Sequence, residues 1–225
     1  MIGTTNIKAI SFDCYGTLID WDSGTYDFFR KILPLEDKER ILNIIKRWEA
    51  IQFQLIQKQY MPYNKIQEIS LIKTLHKFNL FPGNNLGKKF LEQVPKWKPF
   101  TDVYPILSKL KNSYKLILVS NGPLSILKKN TKKMGIKFDK IISAESIRAY
   151  KPNTDVFRYL LRQLNYPLSE ILHVATGYKY DVIPAKALGI KTIWVNRKQI
   201  LYPGTVSPDY EIINLTKLPM VMSYL

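Results

Sequence analysis

Ile7-Lys8-Ala9-Ile10-Ser11-Phe12-Asp13-Cys14-Tyr15-Gly16-Thr17-Leu18 is an apolar run that ends on a carboxylate and then breaks at a glycine. A short apolar run closed by a turn signal reads as a buried strand over Ile7–Phe12, with Asp13 at its carboxyl end. The same pattern returns after Pro99. Lys115–Val119, Lys140–Ser143, Ile171–Ala175 and Lys191–Val195 read as strands, and helical patterns over Leu124–Lys133, Asn153–Leu164 and Val182–Leu188 lie between them. Apolar strands alternating with helices predict a Rossmann-like, doubly wound α/β core with a parallel sheet. Between them, from about Trp21 to Lys98, no strand-like run occurs. Over Glu36–Gln59, Ile41, Ile44, Ile45, Trp48, Ile51, Phe53, Leu55 and Ile56 are spaced for one broad helical face, and Tyr63–Phe78 and Gly83–Val94 read as further helices. The predicted organisation is a core of residues 1–15 plus 99–225, with an all-helical cap over residues 16–98.

Composition narrows the class. The 225 residues are 46% hydrophobic, which excludes a disordered or collagen-like chain. No apolar run approaches the ~20 residues that cross a bilayer, and the N-terminal stretch lacks the features of a signal peptide. One cysteine, Cys14, excludes an internal disulfide framework and a cysteine-based zinc cluster. A cytoplasmic protein without membrane contact is the expectation. Lys and Arg number 34 against 18 Asp and Glu, a formal charge of +16. The lysines are scattered through every segment, without an RNA-binding aromatic motif or a basic tail, so a nucleic-acid partner is not the first reading.

Ligands of doubly wound sheets bind beyond the carboxyl ends of the strands. The residues standing there are Asp13, then Ser120-Asn121, then Lys151-Pro152, then Thr176 through Asp181. Two carboxylates, a hydroxyl–amide pair and a lysine can converge on one pocket. In order and spacing this constellation resembles the haloacid dehalogenase superfamily over nearly the whole chain. Asp13-Cys14-Tyr15-Gly16-Thr17-Leu18 is similar to its first motif, Ser120-Asn121-Gly122 to its second, Lys151-Pro152 to its third and Asp181 to its fourth. Asp-x-Tyr-Gly-Thr-Leu looks like the (S)-2-haloacid dehalogenase branch, since phosphatases of the superfamily usually carry a second Asp where Tyr15 stands.

The resemblance implies roles. Asp13 would attack the carbon bearing the halogen, Lys151 would hold Asp13 ionised, and Asp181 would orient or deprotonate the hydrolytic water. Thr17, Ser120 and Asn121 would bind the substrate carboxylate or steady the nucleophile. Tyr15 would line the pocket, and Thr176 and Tyr178 stand where the family has a Ser and an Asn. The family's cap arginine is matched by Arg47, with Arg40 and a merely surface-facing arginine as alternatives. A Tyr usual six residues after the lysine is Phe157 here. Phosphatases of the superfamily draw a proton from the residue at Tyr15 and a metal ligand from the residue at Thr176. Neither residue supplies a carboxyl group, so a leaving halide and a site free of metal and cofactor are expected. A Mg²⁺-dependent phosphatase and a non-catalytic basic protein on the same fold are the rival readings, and a homodimer is compatible with all three. His173, within an apolar strand, reads as a satisfied core or supporting histidine, and Cys14 as core.

Overall fold

The structure, a computed structural model, describes residues 6–81, 83–201 and 204–225. The N-terminal leader reading rests partly on residues 1–5, which lie outside the described residues. Six strands form one sheet: β1 Ala9–Phe12, β2 Lys115–Ser120, β3 Lys140–Ser143, β4 Ile171–Ala175, β5 Lys191–Val195 and β6 Tyr210–Ile212. Their order is β3-β2-β1-β4-β5-β6, and every neighbouring pair is parallel. β1 is hydrogen-bonded to β2 on one side and β4 on the other, and all four of its residues are buried. That is why it reads as an apolar run and not as an alternating one.

The chain divides into two compact units. One runs to Ile19 and resumes at Pro99; the other is Asp20–Lys98. The residue-15 boundary expected from sequence moves to Ile19 because the turn after β1 stays with the sheet unit. Tyr15 and Ile19 form a β-bridge, and Ile19 forms another with Pro99. The sheet unit carries helices α5 Val103–Leu110, α6 Leu124–Met134, α7 Ala144–Ile147, α8 Asp155–Leu164, α9 Ile183–Lys186 and α10 Leu218–Met222. On the α8 face, Val156, Phe157 and Leu160 pack with Ala9, Ile117, Val119 and Ile171 in one core. The sequence reading passes over α5 and β6. β6 has three residues, too few for a period to show.

The other unit is helical: α1 Trp21–Ile32, α2 Lys38–Ile56, α3 Tyr63–Lys77 and α4 Leu86–Gln93. Asp20 caps α1 through the Ser23 N–H, and Asp37 caps α2 through the Arg40 N–H. Trp48 is fully buried and is packed by Trp21, Phe29 and Phe90, with ring centroids 5.7, 5.5 and 5.1 Å away. Its indole N–H donates to Ser70 Oγ at 3.0 Å. Trp48→Ala removes this centre and leaves a cavity, and is expected to destabilise the helical unit by about 3–5 kcal/mol in urea unfolding followed by fluorescence.

Candidate active site

The strand order reverses between β1 and β4, and at such a point the connections leave a crevice beyond the strand ends. Asp13 follows β1 directly, and its N–H donates to the Val174 carbonyl on β4 at 3.1 Å. Gly16 then takes φ +82°, a conformation that side-chain-bearing residues rarely adopt. The Leu18 and Ile19 N–H groups donate back to the Cys14 carbonyl, which closes a tight turn. This turn returns the Thr17 hydroxyl to Asp13 Oδ2 at 2.8 Å. Thr17 Oγ1 also accepts the Thr176 N–H at 2.9 Å. With its lone pair engaged there, the hydroxyl directs its proton to the carboxylate.

Lys151 reaches the same point from the segment after α7. Asn121, just past β2, clamps its backbone: Nδ2 donates to the Lys151 carbonyl at 3.0 Å and Oδ1 accepts its N–H at 2.8 Å. The ammonium donates to Asp13 Oδ1 at 2.7 Å, to Asp181 Oδ1 at 2.5 Å and to the Val119 carbonyl at 3.1 Å. Three protons meet three acceptors, and the side chain is about as buried as any in the core.

Asp181 belongs to a π-helical turn, Tyr178–Val182, that precedes α9. Its N–H donates to the Gly177 carbonyl at 2.7 Å. Oδ1 accepts from Lys151 and faces His173 Nε2 at 3.0 Å. Oδ2 lies against Gly177, where an added Cβ would stand 2.3 Å from it. Only glycine leaves room for this carboxylate.

Burial sets the electrostatics. It pushes the Asp13 carboxyl above its ordinary value, and Asp181's charge adds to that; Lys151 and Thr17 oppose the rise without cancelling it. Lys151 thus acts on Asp13 in the direction expected from sequence, favouring the carboxylate, while burial works against it. Burial acts on Asp181 too, but the Lys151 charge and the His173 contact outweigh it and hold this carboxyl low. Burial would depress the Lys151 ammonium, yet the two carboxylates more than compensate and its pKa is raised. Cys14, beside the nucleophile, is buried, and burial pushes its thiol well up.

The donor set does not fit a divalent cation. An ion such as Mg²⁺ keeps several waters and is held by one or two carboxylates whose oxygens are free to ligate it. Here the two carboxylates share an ammonium, the Thr176 hydroxyl is donated to the Gly16 carbonyl at 2.8 Å, and no third acid joins them among the described residues.

The other expected site residues take varied places. Ser120 ends β2, with its Oγ accepting the Gly122 N–H at 3.3 Å. Tyr15 packs against Gly122, whose missing Cβ would come within 2.8 Å of the ring. The Tyr178 hydroxyl donates to the Val206 carbonyl at 3.0 Å and accepts the Val206 N–H at 3.1 Å, and its ring packs edge-on with Trp194. It braces a loop, and a part in binding substrate rests on the resemblance alone. Arg47 stands exposed on α2 of the helical unit, and the resemblance alone assigns its role. Two groups were missed. Arg197, after β5, donates to the Thr17 carbonyl at 2.8 Å and to Asp102 at 3.1 Å. Ser11 contacts His173, and its signal was a hydroxyl inside an otherwise apolar run.

Comparison with known proteins agrees with this geometry. The chain is 27% identical over 213 residues to haloacetate dehalogenase H-2 of Moraxella sp. (strain B), covering 92% of this chain and 93% of that one. It is 26% identical over 218 residues to an (S)-2-haloacid dehalogenase of Pseudomonas sp. (strain YL), covering 93% and 91%. Its fold matches the L-2-haloacid dehalogenase of Xanthobacter autotrophicus with chloropropionic acid covalently bound, at TM-score 0.81 and 24% identity over 96% of this chain and 98% of that one. The haloacid dehalogenase-like hydrolase family matches residues 7–189, a span that holds Asp13, Lys151 and Asp181 together. The match takes in the bridged carboxylate pair at the sheet's switch point, and the chain belongs to the haloacid dehalogenase-like hydrolases.

Proposed function

We propose that the protein hydrolyses the carbon–halogen bond of short (S)-2-haloacids through an ester on Asp13, without a metal or organic cofactor. The observation that carries this reading is the Lys151 ammonium bridging Asp13 and Asp181. Thr176, at the position from which phosphatases of the family draw a metal ligand, donates its hydroxyl to the Gly16 carbonyl and supplies no anionic oxygen. Tyr15, two residues after the nucleophile, offers no carboxylic acid to a leaving alkoxide, whereas a halide leaves unprotonated.

An Asp13 carboxylate oxygen attacks the carbon bearing the halogen. The new C–O bond forms as the halide departs with the bonding pair, and the carbon inverts. Water then adds to Asp13 Cγ and passes a proton to Asp181. The Cγ–O bond to the substrate breaks, and the departing 2-hydroxy acid takes that proton back. Asp13 returns to its carboxylate as the second water proton goes to solvent. Thr17 steadies Asp13, and Asn121 steadies Lys151. Ser120 and the backbone amides after β2 are assigned the substrate carboxylate. A single, buried cysteine suits a cytoplasmic setting for this reaction.

The test is halide release from (S)-2-chloropropionate in EDTA beside phosphate release from an aryl phosphate in Mg²⁺. The expected result is halide release unchanged by EDTA, with (R)-lactate as product. Phosphate release without halide release would replace this reading by the Mg²⁺-dependent phosphatase.

A further inference from the structure

β1 and β4 are apolar except for one polar residue each, and these two, Ser11 and His173, are register partners on adjacent strands. Both are fully buried. Polar side chains in the middle of a parallel sheet destabilise it unless they are hydrogen-bonded. Ser11 Oγ lies 2.8 Å from His173 Nδ1 and 3.2 Å from the Leu172 carbonyl. On the ring's other side Nε2 lies 3.0 Å from Asp181 Oδ1, and Phe157 packs edge-on at 5.0 Å.

This arrangement dictates where the protons lie. A bare Nε2 would set two acceptors face to face, so Nε2 carries the hydrogen and donates it to Asp181. The neutral ring then accepts the Ser11 proton at Nδ1. A charged ring would donate from Nδ1 to Ser11, which turns its own proton to the Leu172 carbonyl. Either way the Nε2–H stays on Asp181.

We propose that His173, braced by Ser11, is a positioning residue that fixes Asp181 by Oδ1 and so presents Oδ2 to the water that hydrolyses the Asp13 ester. The proposal rests on the function above, in which Asp181 takes that water's proton. Lys151 and His173 both donate to Oδ1, and Oδ2 receives no hydrogen bond among the described residues. Two donors on one oxygen, with Gly177 against the other, define the plane of the carboxylate. His173 exchanges no proton in the reaction; the water proton goes to Oδ2 and returns to the departing hydroxy acid. Its loss therefore weighs on ester hydrolysis, while attack on the halogen-bearing carbon makes no use of Asp181 Oδ2.

The experiment is rapid-quench turnover of (S)-2-chloropropionate by the full chain, reading the first-turnover halide burst, the steady-state rate and the Asp13 ester by intact mass. His173→Leu is expected to keep the burst rate within about threefold and to slow the steady state by roughly tenfold or more, with ester accumulating. His173→Gln, whose amide also donates an N–H, is expected to recover much of that loss. Ser11→Ala gives a smaller loss of the same kind, and it carries the test if His173→Leu does not fold. Equal slowing of burst and steady state, or no ester in a folded variant, would overturn the proposal. Absence of halide release by the unaltered protein would instead overturn the proposed function.

Discussion

Asp13→Asn is expected to lower halide release by about 10⁴-fold or more, to the level of solvent background, and at the same time to raise the melting temperature at pH 7. The first effect follows because an amide is no nucleophile towards carbon, although its shape fills the same space between Thr17 and Lys151. The second follows from the sign of the pKa shift. The folded protein raises Asp13 above its ordinary value of about 3.9, so the folded state binds that proton more tightly than the unfolded chain. The ionisation of this group is therefore a cost to stability that grows as pH rises from the ordinary value through the raised one. Asn removes it, together with the repulsion between the two buried carboxylates. Asp181, held low, has the opposite slope: its contribution is present above the ordinary value and lost as pH falls. Melting curves from pH 3 to pH 8 separate the two groups. A variant that lost activity and also melted lower at pH 7 would contradict the electrostatic account while leaving the nucleophile in place.

Lys151→Met has the second large effect, and it falls on folding as well as turnover. The substitution keeps an unbranched stem and removes the cation that bridges Asp13 and Asp181. Deleting one partner of a buried ion pair typically costs about 3–5 kcal/mol, because the remaining charge stays buried without compensation. Two carboxylates are left facing each other, so both are pushed upward and one holds a proton near neutral pH. The expected result in denaturant unfolding is a loss of that size at pH 7 that shrinks as pH falls, and is smallest below about pH 3, where the carboxylates are protonated in the unfolded chain as well. Halide release falls with the ionised fraction of Asp13, and its acid limb moves to higher pH. Lys151→Arg is not expected to restore either property, since a planar guanidinium does not fit a site shaped for three bonds from one nitrogen.

Some of this was legible because buried parallel strands announce themselves. An apolar run ends where a polar residue can first reach the surface of the sheet, and Asp13 and Ser120 stand at those points. Lys151 and Asp181 were found by order and spacing through the resemblance; no local signal marks either. What stayed hidden depends on geometry that no short window contains. Tyr178 was placed at the substrate through the resemblance, since it stands where the family has an Asn, and the π-helical turn that starts at Tyr178 carries that ring to Trp194 and Val206. Asn121 was given to the substrate, yet both ends of its amide hold the Lys151 backbone, thirty residues on. Ser11 and His173 were visible as polar exceptions, but only strand register pairs them.

The bridge between Ile19 and Pro99 has a consequence for how such a chain can evolve. The Phe100 N–H donates to the Leu18 carbonyl, and the Arg197 guanidinium stacks on Phe100 at 3.9 Å while holding the Thr17 carbonyl. The points where the chain departs and returns are thus neighbours, fastened by bonds that lie wholly within the sheet unit. To that unit, the residues from Asp20 to Lys98 are equivalent to one hairpin loop. Their replacement by an unrelated insert leaves the nucleophile's turn closed by the same contacts. The turn that carries Asp13 is in this way heritable separately from the residues between Asp20 and Lys98, and selection can exchange the latter without disturbing the former.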